Sequence, residues 1–276
     1  MNAEEPSVQP DEPSSPRAPA GGVGLRDDFI MALRFFSRLP TGDTPHQTPD
    51  LGRIAMALPL AGVAIGIGPV LLLIGATLIG LPSYFAAALA VAAMIIASGA
   101  MAEDALADAA DGLFGGHSIE RRLEIMKDSR HGTYGVAALT LFILLRVMAL
   151  GAMTAINPLA AGAIWLAANI VGRSGALWLA VALPPARNDG ASATAGRLPA
   201  QSFAIGAVLA AILLFVLAGP GTSVVGLGMA MLLAVAVIAG GMALCRRLVG
   251  GQTGDLIGAL GALVEIAVLT ALLPFA

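Results

Sequence analysis

Ile54-Ala-Met-Ala-Leu-Pro-Leu-Ala-Gly-Val-Ala-Ile-Gly-Ile-Gly-Pro-Val-Leu-Leu-Leu-Ile-Gly-Ala-Thr-Leu-Ile-Gly80 contains no charged residue. At 1.5 Å per residue, a helix of that length is more than enough to cross roughly 30 Å of hydrocarbon. Six further apolar segments follow, at about 84–102, 135–156, 159–183, 201–219, 222–245 and 256–275. Hydrophobic residues make up 57% of the chain and charged residues 12%, against about 25% charged in a soluble domain. A water-soluble fold of 276 residues could not hide so much apolar surface, so lipid is the solvent. The fold class expected is all-α: a polytopic transmembrane bundle of about seven spans. Its Ala- and Gly-rich helices permit close backbone approach, which matters where no hydrophobic force acts between helices.

Residues 1–22, rich in Pro, Ser, Glu and Ala without apolar period, read as a disordered tail ahead of one membrane domain, 23–276. Between Leu25 and Pro40, Phe29, Leu33 and Phe36 recur at helical spacing, with Arg34 and Arg38 on another arc. This predicts an amphipathic helix lying at the membrane interface and stopped by Pro40. Lys and Arg accumulate in cytoplasmic loops. Thirteen of the fifteen basic residues satisfy one topology, N-terminus inside and C-terminus outside, because only Arg146 and Arg173 fall within spans. The turns around Pro82, Pro158 and Pro220 carry no basic residue.

Cys245 is the single cysteine, and His46, His117 and His131 are the only histidines. A disulfide framework or a Cys/His zinc site therefore lacks ligands, and any metal should be hard and oxygen-bound. A net charge of -3 and a pI near 5.6 argue against nucleic acid as a partner.

The chemistry concentrates between the second and third spans. Asp104, Asp108 and Asp111 are spaced i, i+4, i+7, which holds them within roughly 60° of one helical face. Like charges at that spacing destabilise a helix, so something outside it must neutralise them. Mg²⁺ is the economical answer, since it takes carboxylate oxygens together with substrate phosphate oxygens. A solvated acidic face is the bland alternative. Against it stand the position at the mouth of a span and the basic set that follows. Gly112, Gly115 and Gly116 permit a sharp turn, Ser118 can cap a second helix closed by Gly132, and Arg121, Arg122, Lys127 and Arg130 can meet phosphate oxygens. For Arg121 and Arg122 a role in topology alone is an equal alternative.

Arg146, Arg173 and Glu265 lie inside predicted spans, where ions are costly and face the bundle interior. A structural ion pair of Glu265 and a substrate contact both stay open. Asp255, after Gly250-Gly-Gln-Thr-Gly254, sits at a helix start, where the helix dipole alone favours it.

Glu103-Asp-Ala-Leu-Ala-Asp-Ala-Ala-Asp-Gly-Leu-Phe-Gly-Gly116, with Arg121-Arg-Leu-Glu-Ile-Met-Lys-Asp-Ser-Arg130 and Gly132-Thr-Tyr-Gly135, closely resembles the adenosylcobinamide-GDP ribazoletransferase (cobalamin synthase) family. Leu33–Pro40 and Gly250–Asp255 resemble that family's two ends. The resemblance implies a multi-pass enzyme of the bacterial inner membrane with its active site on the cytoplasmic side. It would join α-ribazole, or its 5′-phosphate, to adenosylcobinamide-GDP and release GMP with Mg²⁺. The family's acidic motif maps onto Glu103, Asp104, Asp108 and Asp111, the expected metal set, and its basic stretch onto Arg121, Arg122, Asp128 and Arg130. Ala102 stands where the family commonly has His, Ala105 where it has Gly, and His131 where an apolar residue is usual.

The expectation is an in-line phosphoryl transfer. Asp104, Asp108 and Asp111 position Mg²⁺, with Asp111 the favoured base, while Arg121, Lys127 and Arg130 offset developing charge. Asp128, Asp255 and Arg173 are secondary candidates. Two rivals are a CDP-alcohol-type head-group transferase, whose signature Ala105 and Asp108 do not match, and a transporter using Arg146, Arg173 and Glu265 as a midplane path.

Overall fold

The computed structural model describes residues 24–42, 49–128, 130–187 and 198–276. The tail expected at 1–22, His46 and Arg197 lie outside the described residues. Among the described residues the chain is helical, with one isolated β-bridge between Pro185 and Gln252. The α-helices are α1 (Leu25–Phe36), α2 (Leu51–Leu78), α3 (Ser83–Ser98), α4 (Met101–Gly115), α5 (Ile119–Ile125), α6 (Thr133–Ile156), α7 (Pro158–Ala176), α8 (Trp178–Ala182), α9 (Ala200–Ala218), α10 (Val224–Leu248) and α11 (Gly254–Leu272).

Six segments among the described residues are long and apolar enough to cross a membrane: α2, α6, α7 with α8, α9, α10 and α11. A seventh candidate is the short α3 taken together with α4. The 16 residues of α3 span about 24 Å, and α4 leaves it at 86°. The sequence predicts one span over 84–102; the structure breaks it because Gly99 and Ala100 both take left-handed backbone, φ 67° and 57°. Gly99 N donates to Ile96 O at 3.1 Å and Ala100 N to Ile95 O at 2.8 Å, a Schellman ending that satisfies two helix-terminal carbonyls. Arg38 N takes a third, Ala97 O, at 2.9 Å. The acidic helix thus begins in a new direction rather than prolonging the span.

The bundle is built around α7. In its apolar window 78% of residues are buried, against 22% for α9 and α10, which present most of their surface to lipid. α7 packs against α2, α6, α9 and α11, and a methyl on Gly172 would stand 2.5 Å from Gly261 O of α11. The small residues do allow the close approach expected of them. α1 buries Met31 and Ala32 against Ile54, Ala57 and Ala61 of α2, and Asp28 pairs with Arg53. It ends at Phe36, four residues before the predicted stop at Pro40, where Ser37 turns extended and its Oγ donates to Leu33 O at 2.7 Å. α5 is also shorter than predicted. Ser118 caps it as expected, accepting from Arg121 N at 3.2 Å, but it closes at Ile125 rather than near Gly132.

Candidate active site

α4 carries its acids on two different duties. Glu103 is only 5% exposed and accepts from Arg146 Nη1 of α6 at 2.7 Å. Arg146 in turn grips Glu265 of α11 through Nε at 2.8 Å and Nη2 at 3.2 Å. Trp165 Nε1 and Asn169 Nδ2 of α7 complete the Glu265 carboxylate, each at 3.0 Å, and the Phe142 ring lies 4.5 Å beneath the guanidinium. Four helices are joined through one buried cluster. Removing a partner from such a cluster leaves an uncompensated charge at a cost of about 3–5 kcal/mol. Arg146 and Glu265 do face the interior as expected, but as a closed structural pair, which removes them from any midplane transport path. Glu103, expected at the metal, belongs to this cluster instead.

Asp111 is likewise committed. It is 7% exposed, and its two oxygens accept from Gly132 N at 2.6 Å and Gly135 N at 2.9 Å. These amides open α6, so the carboxylate satisfies donors that the helix itself cannot, where the helix dipole favours a negative charge. A methyl on either glycine would overlap the carboxylate, which is why glycine occupies both ends of Gly132-Thr-Tyr-Gly135. The expectation that Asp111 faces a metal, or acts as the base, meets a competing duty: each oxygen already accepts one amide, leaving only its second lone pair.

Asp104 and Asp108 remain. Asp108 has its carboxyl pushed up to about 6, by burial first and then by the neighbouring charges of Asp104 and Asp255. His131 Nδ1, 3.9 Å from Asp108 Oδ1, opposes this. Asp255 reaches the group from the first turn of α11, with Arg187 Nη2 donating to its Oδ2 at 3.0 Å. From the sequence Asp255 is a helix-start residue and a secondary candidate, because its nearness to α4 is set by the packing of α4 on α11. At that crossing the Ala105 Cβ lies where a methyl on Gly258 would stand, 2.5 Å away. Gly258 therefore preserves the close approach that Ala105 gives up.

Asp104 and Asp255 line one side of a cavity of about 240 Å³ that reaches inward to Phe36, Asn169, Arg173 and Leu177. Its walls come from α1, α2, α4, α7 and α11, and most of them are apolar.

The basic set does not converge on this cavity. Arg121 pairs with Glu124 at 2.6 Å and Arg130 with Asp128 at 2.6 Å, both largely exposed; the hydrogen bonds from Arg130 hold the Asp128 carboxyl down at about 2. Lys127 lies in the turn after α5. Arg122, expected at phosphate, instead donates to Leu113 O at 3.3 Å and to Leu248 O at 3.0 Å, tying α4 to the end of α10. Gly112 and Gly116 serve this junction by close approach rather than by a sharp turn: methyls there would meet Met126 and Arg122.

A family model described as cobalamin-5-phosphate synthase matches residues 28–273. Among curated relatives, the adenosylcobinamide-GDP ribazoletransferase of Azorhizobium caulinodans is 46% identical over 257 residues, covering 90% of this chain and 96% of the relative. Those of Bradyrhizobium diazoefficiens and Xanthobacter autotrophicus are 42% and 43% identical, covering 88% and 91% of this chain and 91% and 97% of their own lengths. No solved structure matches the chain. A match running from α1 into the last helix includes every helix that bounds the cavity, and the chain belongs to the cobalamin-5-phosphate synthase family.

Proposed function

We propose that the chain is an adenosylcobinamide-GDP ribazoletransferase, joining α-ribazole or its 5′-phosphate to adenosylcobinamide-GDP and releasing GMP. The observation that carries this is the grouping of Asp104, Asp108 and Asp255, of which Asp104 and Asp255 line a cavity, in a chain that aligns with such transferases over nearly their whole length. Three neighbouring carboxylates, with burial and nearby negative charge raising the proton affinity of Asp108 and Asp255 and with His131 and Arg187 as partial compensation, form a hard oxygen donor set suited to Mg²⁺. Mg²⁺ would bind there through one or two of these carboxylates, substrate phosphates and water.

Asp104 and Asp108, one helical turn apart, would hold the ion. When bound, it would neutralise charge on the diphosphate in the transition state. Asp255 faces the cavity from the opposite helix and replaces Asp111 as proton acceptor. It takes the proton of the ribazole hydroxyl as the new O–P bond forms and the P–O bond to GMP breaks. Arg187 keeps Asp255 oriented through its 3.0 Å hydrogen bond. Arg121, Lys127 and Arg130 lie outside the cavity, and would meet only the guanosine end of the donor that projects from it. The apolar walls limit water, so the ribazole hydroxyl rather than solvent attacks. The basic loops favour the cytoplasmic side of the bacterial inner membrane for this end of the bundle.

The test is incubation of the detergent-purified protein with adenosylcobinamide-GDP, α-ribazole and Mg²⁺, with mass detection of the corrinoid product and of GMP. Asp104→Asn and Asp108→Asn should each abolish turnover while the bundle stays folded. Near-normal activity in both variants rejects the assignment of the ion, and no product from the wild type rejects the function.

A further inference from the structure

We infer that Arg173 is a phosphate-binding, specificity-determining residue, holding the 5′-phosphate of a phosphorylated ribazole inside the cavity; this rests on the transferase reading above. Arg173 lines the cavity from α7, yet its one hydrogen bond is a long one, 3.4 Å from Nη1 to Phe36 O, and it has no ion pair among the described residues. The acidic side chain beside it in the wall, Glu265, cannot serve as its partner. The two Glu265 oxygens already accept four N–H groups, from Arg146 twice, from Trp165 and from Asn169. A guanidinium lacking strong acceptors in a mostly apolar cavity is a site for an anion with two or more oxygens, which its fork can grip in bidentate fashion.

One turn deeper on the same face of α7, Asn169 is 2% exposed and its Oδ1 has no partner. That oxygen offers a place for one further donor, such as a ribose hydroxyl. The pattern of charge then chooses between phosphates. The phosphorus that reacts belongs at Asp104 and Asp108, where the cation is held. The family description, cobalamin-5-phosphate synthase, implies a second phosphate that passes into the product unchanged. That group would be repelled by Asp104 and Asp255, and Arg173 is the cation among the cavity-lining residues.

The test is steady-state kinetics of wild type, Arg173→Gln and Arg173→Lys, with α-ribazole 5′-phosphate and with α-ribazole as acceptors and adenosylcobinamide-GDP as donor. The wild type should show a KM at least tenfold lower for the phosphorylated acceptor. Arg173→Gln should raise that KM by about 10- to 100-fold, the range for a lost charged hydrogen bond, and its loss with the phosphorylated acceptor should exceed that with α-ribazole by at least tenfold. Arg173→Lys, which keeps the charge without the fork, should recover part of the difference. Equal losses with both acceptors overturn the inference. So does a rise confined to the KM for adenosylcobinamide-GDP, which would place the donor's diphosphate at Arg173. Should Arg173→Gln not assemble, wild type against Arg173→Lys decides the matter, and an unchanged preference in the lysine variant overturns the inference. No product from the wild type with either acceptor overturns the transferase reading itself, a failure distinct from intact turnover without phosphate preference.

Discussion

Replacing Asp111 by asparagine keeps the shape of the side chain and removes its charge, which separates holding a helix from doing chemistry. In the wild type both oxygens accept backbone amides at the head of α6, at 2.6 and 2.9 Å. An asparagine offers one oxygen, and its amide group meets the other N–H donor to donor. One buried amide is then left without an acceptor, at a cost of about 1–3 kcal/mol. Losing the negative charge at a helix N-terminus adds about 0.3–1 kcal/mol. The sum, about 1–4 kcal/mol, corresponds to a fall in Tm of about 3–15 °C for a chain of this size. Thermal unfolding in detergent measures it directly, and GMP release below the transition measures turnover per folded molecule. Asp111→Asn should fall in Tm by that amount while losing far less turnover than Asp104→Asn. An unchanged Tm combined with abolished turnover would refute the capping argument and return Asp111 to the metal or to the proton.

Asp108 makes the opposite prediction. Its folded carboxyl is raised from 3.8 to about 6, so its protonated form is favoured by folding. Its contribution is present at low pH and is lost as pH rises through about 6. Without Mg²⁺ the Asp108 contribution should therefore make the wild-type Tm decline between about pH 4 and 6, and Asp108→Asn should remove that part of the slope while abolishing turnover; a slope that is the same in both proteins refutes this. Because the ion must displace the proton, Mg²⁺ affinity should weaken by up to about tenfold per pH unit below 6, as read by the Mg²⁺-dependent shift in Tm. Arg146→Met should cost about 3–5 kcal/mol, and adding Glu103→Gln and Glu265→Gln should restore part of it; additive losses in the triple variant would show that the three do not interact. Gly99→Ala should cost about 1–2 kcal/mol in Tm measurements from left-handed backbone alone, with further loss from displacing the Arg38 side chain that packs there; an unchanged Tm would show that the break does not need glycine.

The spans were legible because length and hydropathy act along the chain. The acidic helix was legible because spacing of i, i+4, i+7 fixes an arc. What the sequence could not show is which members of that arc are already engaged. Glu103 and Asp104 are adjacent, yet a step of about 100° sends Glu103 to Arg146 and Asp104 to the cavity. Asp111 follows Asp108 by three residues and meets the amides of α6. These partners are tertiary, as is Asp255, whose role depends on α11 lying against α4. The glycines of Gly132-Thr-Tyr-Gly135 were quoted for resemblance alone, although their contact with Asp111 held the clue that this aspartate was occupied. Arg122 was read by charge, but its destination was a pair of carbonyls.

The cluster joining Glu103, Arg146 and Glu265 also sets an order of assembly. α4 and α6 leave the translocon long before α11, so Arg146 first has Glu103 alone, and Trp165 and Asn169 have no carboxylate to bind. Only insertion of the final helix supplies Glu265, and the same helix delivers Asp255 to the cavity. A ribosome-bound chain in which α11 has not yet been inserted would therefore be unable to complete either the charge network or the acid site.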